Sequence, residues 1–72
     1  VNPMDRFEYE FVIDGELSER VLSCFPELVV SIDRQHTSTR LSGELPDEAA
    51  ARGIIARLDD LGLTLREFRR LT

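Results

Sequence analysis

The chain holds one thiol, Cys24, and one imidazole, His36. Such a pair can form a nucleophile and its base, because a cysteine attacks as thiolate and needs a base or a positive field to ionise. Here Pro26 and a strand-like run separate the two. Cys24 therefore reads as a small core residue late in a short helix, and His36 as a solvated turn residue. A single cysteine permits no internal disulfide, and with a single histidine it makes no His/Cys metal cluster. No catalytic residue, metal ligand or cofactor is assigned, and the chain is expected not to be an enzyme.

Charge narrows the partners. The net charge is −5, from 14 acidic and 9 basic residues. Phosphate binding needs a clustered positive field, so nucleic-acid binding is not expected. All nine bases are arginine, which with the many Ala and Leu fits a GC-rich bacterial source. No apolar run approaches the ~20 residues that span a bilayer, and no signal-peptide pattern is present. The expected compartment is the cytoplasm, with no membrane partner.

Length bounds the architecture. The 72 residues are expected to form one domain over residues 6 to 72, after a loose tail from Val1 to Asp5. Domains this small are marginal alone and lean on disulfides, metals or association. Association is the support left here, so a homodimer is the expected state.

Six short segments read in the order strand, helix, strand, strand, helix, strand. Phe7, Tyr9, Phe11 and Ile13 alternate with Glu8, Glu10 and Val12, which predicts a strand with the aromatics inward. Ser18 is placed to cap the first helix, whose inward stripe is Val21, Leu22 and Phe25, and Pro26 stops it near Cys24. Leu28, Val30 and Ile32 form the inner side of a second strand, and Arg34 to His36 the hairpin turn. A third strand from about Thr37 to Leu45 turns Thr39, Leu41, Gly43 and Leu45 inward, with Gly43 marking a bulge. Asp47 caps the second helix, whose stripe is Ala51, Ile54, Leu58 and Leu61, widened by Ile55. Glu48 and Arg52 make an i, i+4 pair. Gly53 in mid-helix predicts close approach of the first helix or of another subunit. Gly62 and Leu63 predict a Schellman ending. The last strand runs from Leu63 to Arg70 or Leu71, with Leu63 and Leu65 inward and Arg66, Phe68 and Arg70 outward.

This order and length resemble the ferredoxin-like α+β sandwich, a four-stranded antiparallel sheet of order 4-1-3-2 with two helices on one face. Within that fold the chain is most similar in size to the ACT domain, a regulatory module. The resemblance, carried by Asp14, Gly15 and Leu17, implies a small amino or organic acid held near Asp14, Gly15 and Glu16. Tyr9, Phe11, Gly15 to Ser18, Phe25 to Leu28, Arg57 and Leu61 to Leu63 also resemble short actinobacterial proteins to which no activity is assigned.

That sheet order would set Glu8 and Glu10 between Arg40 on one side and Arg66 and Arg70 on the other. The face is either solvated and self-neutralised, or a polar subunit interface centred on Val12, Val29 and Phe68 and edged by Arg66 and Arg70. Asp59 and Asp60 end a helix against its dipole, which screening or Arg57 and the Arg69–Arg70 segment would offset. The leading expectation is a non-enzymatic binding or assembly module acting as a homo-oligomer. An ACT-like sensor and a small dimeric α+β barrel enzyme are the alternatives. A further protein partner and a small-molecule ligand are left open.

Overall fold

Alternation places Tyr9, Phe11 and Ile13 on one side of β1 (Phe7–Asp14), and all three are buried. On one flank β3 (Ser38–Leu45) runs antiparallel to β1, setting Leu41 opposite Phe11 and Thr39 opposite Ile13. On the other flank lies β4 (Leu65–Arg70), also antiparallel, and β2 (Val29–Asp33) pairs with β3 across a hairpin. The order is β2-β3-β1-β4, or β4-β1-β3-β2 from the opposite edge. With α1 (Glu19–Leu22) and α2 (Glu48–Asp60) the chain makes a small α+β domain. The computed structural model describes residues 7–71, so the tail read at Val1 to Asp5 lies outside them.

α2 is bounded at both ends by local chemistry. The Asp47 carboxylate accepts from the Ala50 N–H at 2.9 Å, satisfying a donor that the helix cannot. Ala51, Ile54 and Leu58 are buried against the sheet. At the far end Gly62 takes φ +74°, Leu63 N–H donates to Leu58 C=O at 3.0 Å and Gly62 N–H to Asp59 C=O at 2.9 Å. Those two bonds are the Schellman pair. Leu61, expected in the core, is the C-cap and lies 41% exposed.

α1 begins as well as α2, with Ser18 accepting from the Val21 N–H at 3.3 Å, but it stops after four residues. Pro26 has no N–H to extend it, and a turn carries the chain to β2. Two expectations change as a result. Cys24 falls beyond the helix and is exposed rather than in the core. Val30 and Ile32 face the helix side but stay 36% and 39% exposed, because so short a helix does not reach them.

Two glycine readings also change. The β1–β3 register runs without a shift, so Gly43 marks no bulge. A Cβ there would lie 3.0 Å from Leu28 Cδ2 and 3.1 Å from Glu27 O, so the glycine lets the α1–β2 connection cross close over β3. A Cβ at Gly53 would meet nothing within 4 Å, so α1 makes no close approach there.

The bulge lies instead between β1 and β4. Val12 faces Glu67 and Ile13 faces Leu65, leaving Arg66 as the extra residue. One inserted residue reverses the alternation from that point on. Phe68 and Arg70 therefore turn to the helix-bearing face, not outward. The Phe68 ring stacks on Tyr9 and Phe11, at centroid distances of 5.7 and 5.2 Å, and the Arg70 guanidinium lies 4.7 Å from the Phe7 ring centre. Among the described residues no helix is long and apolar enough to cross a membrane.

Candidate functional site

Glu10 points out from β1 on the face without helices, yet its side chain is only 9% exposed. The strand pairing explains this. Arg40 on β3 approaches one carboxylate oxygen at 3.6 Å, and Arg69 on β4 donates to the other at 2.5 Å. Arg69 also lies 3.5 Å from Glu67. A charged chain thus crosses three strands, Arg40–Glu10–Arg69–Glu67. The hydrogen bond to Glu10, with the field of Glu67, raises the Arg69 pKa further above its already high value, so this cation stays charged. Arg69 holds the place expected for Arg66 and Arg70, a direct result of the bulge.

The interface expected around Val12, Val29, Arg66, Phe68 and Arg70 is divided by the same bulge. Val12 lies beneath its cross-strand neighbours Arg40 and Glu67 and is 7% exposed. Long side chains cover apolar surface with their stems in this way. Val29 shares that face but stands open at 70% exposure. Phe68 and Arg70 are on the other face. Arg66 reaches Asp14 at 3.7 Å and donates to the His36 carbonyl at 3.0 Å.

The loop at Asp14, Gly15 and Glu16 is held by hydrogen bonds to neighbouring segments. Asp14 N–H donates to Thr64 C=O and Gly15 N–H to Thr37 C=O, both at 2.8 Å. Thr39 Oγ1 donates to Gly15 C=O at 2.9 Å and accepts from Leu17 N–H at 3.1 Å. Gly15 takes φ +91°, a conformation that suits glycine. Glu16 lies 3.7 Å from Arg34. The backbone N–H groups of Asp14, Gly15 and Leu17 are thus already engaged within the fold.

Cys24 and His36 bond elsewhere rather than to each other. Cys24 Sγ lies 3.9 Å from Arg20 C=O. His36 Nδ1 lies 2.7 Å from Asp33 Oδ2, within the hairpin turn. The His36 side chain and backbone N–H hold the Asp33 carboxyl below the usual aspartate range.

Sequence reasoning missed two features. The first is Arg57, which donates to Cys24 C=O at 2.7 Å and to Glu27 at 3.2 Å, and lies 5.3 Å from the Phe25 ring centre. It ties α2 to the connection after α1. The second is an open groove of about 380 Å³ between α2 and the start of β4. Ile55, Ala56, Leu58, Leu63 and Leu65 line it, with Arg52 and Asp59 as its charged members. The one signal for it was Ile55, which widened the apolar stripe of α2 beyond what the sheet covers.

The family model described as Domain of unknown function (DUF8691) matches residues 8–69. The chain belongs to that family. No curated protein and no solved structure matches it. The DUF8691 match runs from β1 into β4, so the Glu10 chain, the first loop and the groove all fall within it.

Proposed function

We propose that this DUF8691 domain is a non-enzymatic assembly module, acting as a homo-oligomer in the bacterial cytoplasm on a ferredoxin-like βαββαβ frame. The element order and the β4-β1-β3-β2 arrangement favour that frame. The all-arginine set of bases favours a GC-rich bacterial source. One observation carries the assembly reading: edge strand β2 leaves Val29, Val30 and Ile32 at 70%, 36% and 39% exposure. Apolar side chains beside unpaired strand edges favour contact with another chain. Small size argues the same way, since a second copy adds apolar burial that 72 residues supply sparingly.

Native mass spectrometry on protein gently purified from its host tests this. An oligomer of the bare chain mass is the expected result. A monomer at every concentration overturns it.

A second reading, a sensor of a small amino or organic acid, is favoured by the groove. Its volume falls within the roughly 300–1,000 Å³ typical of ligand pockets, and it sets one cation and one carboxylate beside an apolar floor. On this reading the ligand sits against Arg52 and Asp59 rather than at Asp14, Gly15 and Glu16. A melting temperature raised by individual amino or organic acids would support it; no shift across such a panel would remove it.

A further inference from the structure

We propose that α2 packs antiparallel against α2 of a second copy, Ile55 opposite Ala56, with Arg52 of each copy paired to Asp59 of the other. This rests on the assembly reading and adds to it a contact away from the strand edges.

The spacing along α2 defines the surface. Residues 52, 55, 56 and 59 stand at i, i+3, i+4 and i+7, so they share one side of the helix. The side turned to the sheet is a different one, carrying Ala51, Ile54 and Leu58. At the centre of the outer side Ile55 is half-buried and Ala56 exposed, and with the half-buried Leu63 and Leu65 they border the groove. At its two ends stand a cation, Arg52, and a carboxylate, Asp59, about 10 Å apart along the axis at 1.5 Å per residue. Asp59 has no ion pair among the described residues, and it sits in the last turn, where the helix dipole works against it.

A two-fold contact requires one patch to be complementary to itself. With the axis between positions 55 and 56, Arg52 meets Asp59 of the second copy and Asp59 meets its Arg52. Ile55 meets Ala56, a large side chain over a small one, so the Ile55 ridge of each copy enters the groove of the other. Each Asp59 gains a cation at the helix end that favours one. Glu48, which holds Arg52 at 3.3 Å within its own helix, falls beyond the end of the second helix and does not oppose Asp59.

Charge selects this register over its neighbours. A slide of four residues one way sets Glu48 opposite Asp59; the other way, it sets Asp59 over Ala56 instead of Arg52. A parallel pair in register opposes Arg52 with Arg52 and Asp59 with Asp59. An unrelated helix would have to bring both charges and a small residue at matched spacing, whereas a second copy brings them by construction.

Charge reversal tests the pairing. Both charged positions are exposed, so reversal leaves the folded monomer in place. Arg52→Glu alone sets two like-charged pairs across the contact, and so does Asp59→Arg alone. Mixed in equal amounts, the two variants regain opposite charges at both pairs. In native mass spectrometry over a concentration series, each variant alone is expected to dissociate at roughly tenfold higher concentration than wild type or more, and the mixture to restore assembly through a species holding both variants. Ala56→Glu, which sets a carboxylate against Ile55, is expected to give an independent loss that mixing does not rescue. An oligomer unchanged by all three substitutions overturns this contact and leaves the assembly reading standing. Loss without restoration on mixing also overturns it, because positions 52 and 59 are then not paired. A wild-type chain that is monomeric at every concentration overturns both.

Discussion

The two helices start alike and end differently. Ser18 and Asp47 each cap a helix through a side-chain oxygen. α2 then runs 13 residues, about 20 Å at 1.5 Å per residue, while α1 runs four, about 6 Å. A five-residue strand such as β2 is about 17 Å long, so α1 spans roughly a third of it. A cap sets where a helix begins; the next proline and the connection after it set how much sheet the helix covers. The α2 side of the molecule is therefore closed over Leu58 and Ile54, and the α1 side is left open over Val30 and Ile32.

Truncation of one leucine on each helix is the strongest test of that contrast. Leu58→Ala should lower stability by about 2–5 kcal/mol, because the surrounding core collapses only partly into the space left. Leu22→Ala, at a half-buried position, should cost about 1 kcal/mol. Equal losses in urea unfolding would break the comparison.

On the face without helices, Glu10→Gln should cost about 1–2 kcal/mol, since it removes the negative charge between two arginines and turns one of the two acceptor oxygens into an amide donor. A loss at the level of an ordinary surface substitution would mean that solvent already screens the chain of charges.

The caps give a finer test. Asp47→Ala should cost about 1 kcal/mol and Ser18→Ala only a few tenths, because the Ser18 cap supports a single turn. Thermal melts of both variants would rank them.

Tyr9→Phe should be neutral or stabilising by up to about 1 kcal/mol. The Tyr9 hydroxyl is buried with no hydrogen-bond partner among the described residues, so it carries a desolvation cost without return. A clear loss of stability would show that the hydroxyl has a partner after all.

The smallest effect is one of pH. The folded pKa of Asp33 is lowered, so its contribution to stability is present above the ordinary aspartate range and is lost as pH falls through the lowered folded value. Asp33→Asn should remove a small part of the acid-side loss. An identical pH profile for variant and wild type would remove Asp33 from the account.

The elements were legible because each carried its own local signal. The aromatics of β1 alternate, β3 turns Thr39 and Leu41 inward as read, and Gly62 with Leu63 closes α2 as the spacing implied. What was hidden lay between elements. Arg66 is an ordinary residue at a bulge that a glycine would have advertised, and its extra step moved Phe68 and Arg70 to the other face. Val12 is covered by residues on two other strands, which its own alternation does not reveal. Cys24 looked helical because Pro26 marked the latest place the helix could stop, not the place where it does. The groove arises where α2 and β4 diverge, and no single segment encodes a divergence.

The position of β1 also has a consequence in time. It is the first strand described along the chain, yet it lies between β3 and β4, and Tyr9 faces Arg70 near the end of the last strand. During synthesis, the aromatic side of β1 stays unfinished until residues 65–70 have left the ribosome. Such distant pairing slows folding, because the loop must close before its contacts repay the entropy. A nascent chain stalled before β4 would present Phe11 to any chaperone nearby, whereas one released after it would hide the same ring within a single cooperative step.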